Sequence, residues 1–263
     1  MKNIVNLLFV GLLVSIYSMS ALTKWETEKV GQWIFYNEAF GKKELLVYWN
    51  KKEQFPSFGI GHCIWYLEGQ QHLHEEQFPL LCNYLQKHGI SLPTWLIKAL
   101  KKGAPWHTRQ AFLDDTKRQQ DLLNLLESTI DLQTQFMIER LQKKLPVIIK
   151  AAPTRYRKKM QAHITLLQST LMGTYTLIDY LNFKGSGLSK LADGSPQHWG
   201  LLYILMSLPS HVNKDTILKA FTLFAGKALF RRIEDSAPGY DQVKFFSGWM
   251  KRVSTYSDRT LLP

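Results

Sequence analysis

The stretch "FPSFGIGHCIWY", residues 55–66, sets Ser57, Gly59, Gly61 and His62 among large apolar side chains. Aromatic and β-branched residues on either side of a glycine pair predict short strands joined by a tight turn. The polar groups on such a turn either belong to an ordinary buried hairpin or are held beside a ligand. Glycine suits both readings, since it lets a backbone turn at positive φ and lets other groups approach closely.

Upstream, Trp25, Val30, Trp33, Ile34 and Tyr36 recur at near-helical spacing, and Thr23 with Glu26 three residues on has the form of a capping box. Gly41 stops this helix, which leaves Glu38 at or just beyond its C-terminus, facing the loop that follows. After Glu76 the chain reads as helix almost throughout. "QFPLLCNYLQKHG" ends at Gly89 and "SLPTWLIKALKKG" at Gly103. Residues 108–146 hold two helices or one bent one before Pro146. "TRYRKKMQAHITLLQST", "TYTLIDYLNF", "QHWGLLYILMSL" and "KDTILKAFTLFAGKALFRRIEDS" follow, the last read as the final long helix. The fold class is therefore mainly α (α+β), a helical domain with a small N-terminal β-hairpin lobe at about residues 42–66. So short a strand-bearing segment cannot bury a core alone, so residues 22–263 are read as a single domain.

The opening "MKNIVNLLFVGLLVSIYSMSA" has one early lysine, an apolar run and the small residues Ser18, Ser20 and Ala21. That is the layout of a secretory signal peptide over residues 1–21. Its apolar run is short for a membrane span of about 20 residues. The expected location of the mature protein is periplasmic or secreted. With 33 Lys and Arg against 21 Asp and Glu, the formal net charge is +12. Such an excess outside the cytoplasm suits anionic polymers or a membrane surface, and export argues against nucleic acid. Cys63 and Cys82 either pair or stand as two buried thiols, and a single pair makes no disulfide framework. No cofactor is expected; "HLHEE" at 72–76 reads as a solvated loop before a metal site.

A carboxylate at a helix end followed by a short β-lobe with G-x-G-H resembles the phage-type lysozymes and the wider lysozyme-like superfamily. "FPSFGIGH" is similar to their T-x-G-x-G-H hairpin, with Ser57 in the place of the threonine, and Glu38 resembles their catalytic glutamate. The resemblance runs from Trp25 to Tyr66. It implies a peptidoglycan-cleaving enzyme acting on β-1,4 glycosidic bonds, either a hydrolase or a single-acid lytic transglycosylase. Where the second family carboxylate would align, this chain has Lys51, with Glu53 two residues on.

The chemistry assigns roles to these residues. A glycosidic oxygen leaves well only when protonated, so Glu38 is expected as general acid, its pKa raised by apolar walls from Phe35, Tyr36 and Phe40. An inverting hydrolase adds a base across the sugar, and Glu53 is the candidate, with Ser57 positioning water. Glu44 is the other acid of the segment. His62 is expected to brace the hairpin. Further on, Asp179, Tyr180, Asn182 and Lys184 leave a helix at a Gly/Ser loop, a mixture of amide, charge and ring suited to a sugar; a plain helix cap at Gly185 and Gly187 is the other reading. Trp199, beside Gly200, either lines the groove or fills the core, the second being the expectation. The alternatives to an enzyme are an inactive wall-glycan-binding or inhibitor protein, a membrane-acting protein using "RYRKKMQAHITLL", and a Ser57/His62 hydrolase lacking a nucleophile elbow.

Overall fold

The computed structural model describes residues 22–70, 75–190, 194–236 and 242–263. Residues 1–21, read above as a signal peptide, and residues 72–74 of "HLHEE" lie outside the described residues.

The first helix, α1 (Lys24–Ala39), begins with the expected box. The Glu26 amide donates to Thr23 Oγ1 at 3.2 Å, and Thr23 N–H donates back to Glu26 Oε2 at 2.8 Å. The helix ends at Phe40, left-handed at φ 53, one residue before Gly41. Glu38 therefore sits within the last turn, where the helix carbonyl end disfavours an anion.

The lobe is a three-stranded antiparallel meander rather than a single hairpin: β1 (Val47–Tyr48), β2 (Ser57–Phe58) and β3 (Cys63–Ile64). Its register pairs Val47 with Phe58 and Phe58 with Cys63, and Tyr48 with Ser57 and Ser57 with Ile64. Cross-strand partners share a face, so Val47, Phe58 and Cys63 form the buried side and Tyr48, Ser57 and Ile64 the other. Phe58 meets Phe78 at 4.6 Å between ring centres, and Trp65 meets the same ring at 5.1 Å. The lobe thus shares its core with the helices. Ile64 is only half-buried because it lies on the opposite face.

The helices continue as α2 (Phe78–Lys87), α3 (Thr94–Ala99), α4 (Arg109–Asp114), α5 (Thr116–Glu127) and α6 (Ile130–Ala151). The region read as two helices or one holds three, and α6 runs through Pro146. That proline is exposed, as is Gln142 one turn earlier. The carbonyl whose partner is lost can therefore be hydrated, which lowers the cost of an interior proline. Next come α7 (Thr154–Gln168), α8 (Leu171–Lys184), α9 (Leu201–Ser207), α10 (Ile217–Glu234) and α11 (Val243–Ser254). The helix α11 overturns the reading of α10 as the last long one. The apolar side of α7, with Met160, Ile164 and Leu167, is buried in the core and is not free to lie on a bilayer. Among the described residues no helix is long and apolar enough to cross a membrane.

The helices α1 and α6 pack closely. A Cβ at Gly31 would lie 2.3 Å from Thr134 Oγ1, so only glycine fits the contact. This seats the middle of α1 against α6.

Candidate active site

The glycine turn is held from two helices. At Gly59 the backbone is left-handed, φ +76, and a Cβ there would lie 2.3 Å from Gln133 Oε1. That oxygen accepts the Ile60 amide at 2.9 Å, pinning the turn to α6. At Gly61, Asn182 of α8 donates to the carbonyl at 2.9 Å, and a Cβ would press on Asn182 Oδ1 at 3.2 Å. The glycines thus admit Gln133 and Asn182.

Asn182 also donates to Glu38 Oε1 at 3.0 Å, so one amide bridges the hairpin and the carboxylate. His62, left-handed at φ 45, donates from Nε2 to the Leu45 carbonyl at 3.1 Å, and its Nδ1 lies 3.8 Å from Glu38 Oε2. Its ring stacks on Tyr48. The ring nitrogens address Leu45 and Glu38 rather than Ser57. Ser57 is buried on β2, on the sheet face that also carries Ile64.

The decisive partner of Glu38 is a residue the sequence reading did not single out. Arg252 of α11 donates from Nη2 to Glu38 Oε1 at 2.6 Å and to Asp179 Oδ1 at 2.8 Å, and from Nε to Asp179 Oδ2 at 2.9 Å. Tyr256 donates to the same Asp179 oxygen at 2.6 Å. Asp179 is fully buried and serves this network, not a sugar. Tyr180 is likewise fully buried, its hydroxyl donating to the Trp199 carbonyl at 2.7 Å, so of the two roles considered for it only structural support holds.

These contacts reverse the expected electrostatics. Burial pushes the Glu38 pKa up, but the Arg252 and His62 charges and the hydrogen bonds from Arg252 and Asn182 outweigh it and leave the pKa below its ordinary value. The aromatic walls are absent in the form expected, since Phe40 is 62% exposed. Glu53 moves the other way. It lies on an exposed turn, yet crowding of its carboxyl, then the Glu38 charge, raises its pKa. In the free protein Glu38 is the better-stabilised anion and Glu53 holds its proton to higher pH. Glu44 is exposed on a short 3-10 turn.

A cleft of about 390 Å³ separates the lobe from the helical body. Glu53 and Ile64 line it from the lobe, and Asn182, Lys184, Trp199 and Trp249 from the helices. Trp199 is thus half-buried at the cleft rather than in the core. Lys52 spans the cleft, its ammonium 5.5 Å from the centre of the Phe245 ring. A second hollow of about 580 Å³ lies on the other side of Glu53, lined by Lys51, Trp49 and Arg109 among others. Lys51 faces that hollow, so it does not replace a carboxylate in the cleft. Cys63 and Cys82 are free thiols, both buried in the core, and burial pushes the Cys63 thiol up to about 12. Glu75 of "HLHEE" pairs with Arg140 and Lys144. Among the described residues no group of three or more His, Cys, Asp and Glu side chains is placed to hold a metal.

Comparison of the chain with family models, with curated proteins and with solved structures finds no match.

Proposed function

We propose that the protein is an exported lysozyme-like enzyme that cleaves β-1,4 glycosidic bonds in peptidoglycan, with Glu38 as general acid. One observation carries the reading: a largely buried helix-end carboxylate, 13% exposed, meets His62 and Asn182 where the glycine turn and the cleft come together. Asn182 lines the cleft and hydrogen-bonds Glu38, which links the carboxyl to a sugar chain laid there, and Trp199 and Trp249 line the same cleft.

The low proton affinity of Glu38 in the free protein bears on the mechanism. Desolvation is already the largest single influence on this group and acts upward. A glycan that fills the cleft expels more water and adds to it, while the bidentate bond to Asp179 holds Arg252 in place. Activity is therefore expected on the acid side of neutrality. If the reaction is an inverting hydrolysis, Glu53 on the lobe is the candidate base; part of its raised pKa comes from the Glu38 charge and is relieved when Glu38 takes up its proton.

The same Arg252 pairing favours a second reading, an inactive protein that binds wall glycans with a permanently ionised Glu38. Digestion of purified peptidoglycan with mass analysis of the chain ends separates the cases. New reducing ends indicate hydrolysis, anhydro ends a transglycosylase, and bound but intact glycan the inactive protein.

A further inference from the structure

Among the described residues, the helical wall of the cleft contains a cation without a counter-ion. Lys184, the last residue of α8, is 8% exposed and lines the cleft. Among the described residues its ammonium has no hydrogen-bond acceptor and no ion pair. Its Nζ lies instead 3.6 Å from the centre of the Trp249 ring and 3.9 Å from that of Phe183. Ring faces replace part of the lost hydration, but they leave three N–H donors without an oxygen.

The neighbouring charges add to the imbalance. Arg232 stands 5.2 Å from the centre of the same Trp249 ring and 5.2 Å from that of Trp199. Of the described acids nearby, Glu38 is engaged by Arg252 and Glu75 by Arg140 and Lys144, while Glu53 lines the lobe side of the same cleft. Burial, then repulsion from Arg232 and Arg252, pushes the Lys184 pKa well below the usual lysine range. An anion entering the cleft would satisfy the donors and offset the repulsion together.

We propose that Lys184 anchors an anion subsite in the cleft, which receives a carboxylate carried by the glycan. The substrate class is then an acidic amino-sugar polymer rather than a neutral one. This rests on the glycan reading of the cleft. A carboxylate fits better than a polyanion, because the ammonium is recessed between two rings and presents one edge. Charge-assisted hydrogen bonds to it are among the stronger kinds. The carboxylate can be the sugar's own ether-linked acid or that of an attached peptide.

The test uses monosaccharides, which contain no glycosidic bond to cleave, so binding is read apart from activity. An N-acetylated amino sugar with a lactyl ether acid, its methyl ester, and the same sugar amide-linked to a dipeptide with a free carboxylate are titrated by calorimetry. Wild type is expected to bind at least one carboxylate form about tenfold more tightly than the ester, in keeping with a hydrogen bond to a charged group. Whether that form is the sugar acid or the peptide conjugate identifies the source. Lys184→Met should abolish the preference and Lys184→Arg should keep it. Equal binding of acid, conjugate and ester by wild type, no binding of any form, or a preference undiminished in folded Lys184→Met would overturn the proposal. A carboxylate preference in a protein that leaves peptidoglycan intact would uphold the subsite and refute the enzyme.

Discussion

Arg252 and Glu38, 214 residues apart in the chain, meet in a 2.6 Å hydrogen-bonded ion pair beside the glycine turn. Because the same guanidinium also grips Asp179, the end of α1, the end of α8 and the last helix are tied at one buried point. Asn182 extends the tie to the β-lobe through Gly61. Asn182, which lines the cleft, thus connects this buried network to the lobe.

Asp179→Asn should be strongly destabilising. It removes one charge from a fully buried pair and weakens three hydrogen bonds, two from Arg252 and one from Tyr256. Breaking a buried ion pair by changing one partner costs about 3–5 kcal/mol. Urea denaturation followed by circular dichroism measures it. A loss within about 0.5 kcal/mol, as for ordinary surface changes, would show that the network carries little of the fold.

Stability should fall in acid, with Glu38 contributing to the slope. A carboxyl whose folded pKa lies below its unfolded one stabilises fully above the ordinary value of 4.5, and that contribution is lost as pH falls through the folded pKa. Glu75, depressed chiefly by Arg140 against the upward effect of burial, acts in the same sense. Glu53 acts oppositely, its contribution being present below its unfolded pKa and lost as pH rises through the folded one. Urea midpoints from about pH 5 downward should decline less steeply in Glu38→Gln and more steeply in Glu53→Gln. An unchanged slope in Glu38→Gln would contradict the depressed pKa.

Gly59→Ala should unsettle the turn. The position is left-handed, and the added Cβ would meet the Gln133 oxygen that accepts the Ile60 amide. A residue with a Cβ in that region costs of order 1–3 kcal/mol, before the clash is counted. Thermal melting should report the loss, and a melting point equal to wild type would show that the turn tolerates a side chain.

Cys63 and Cys82 should be inert in the folded protein. Both are buried, and burial raises both thiols, so little thiolate forms near neutral pH. A thiol reagent at about pH 8 should label neither residue until denaturant is added. Rapid labelling of either in native protein would contradict this packing.

The elements that depend on local sequence were legible. The Thr23–Glu26 box, the strands around the glycines and most helices follow from capping, turn and periodicity signals. The position of Glu38 near the end of α1 was legible for the same reason. What sequence reading missed depends on the far end of the chain. In α11, Phe246, Trp249, Met250 and Val253 recur at helical spacing, a signal that could have found the helix, but nothing local says that Arg252 faces Glu38. Flanking aromatics therefore suggested a raised Glu38 pKa where a distant guanidinium lowers it. Tyr180 and Asp179 read as sugar-binding types, and only packing reveals that both are fully buried.

The most direct measurement of the central claim is release of soluble fragments from purified peptidoglycan by wild type, Glu38→Gln and Glu53→Gln, each first confirmed as folded. Removing the general acid should lower the rate by about 10²–10⁴-fold in Glu38→Gln, with glycan binding retained. An equal loss in Glu53→Gln would indicate a two-carboxylate hydrolysis, and a small one the single-acid reaction. Peptidoglycan left intact by wild type, or cleaved at an unchanged rate by folded Glu38→Gln, would contradict the account.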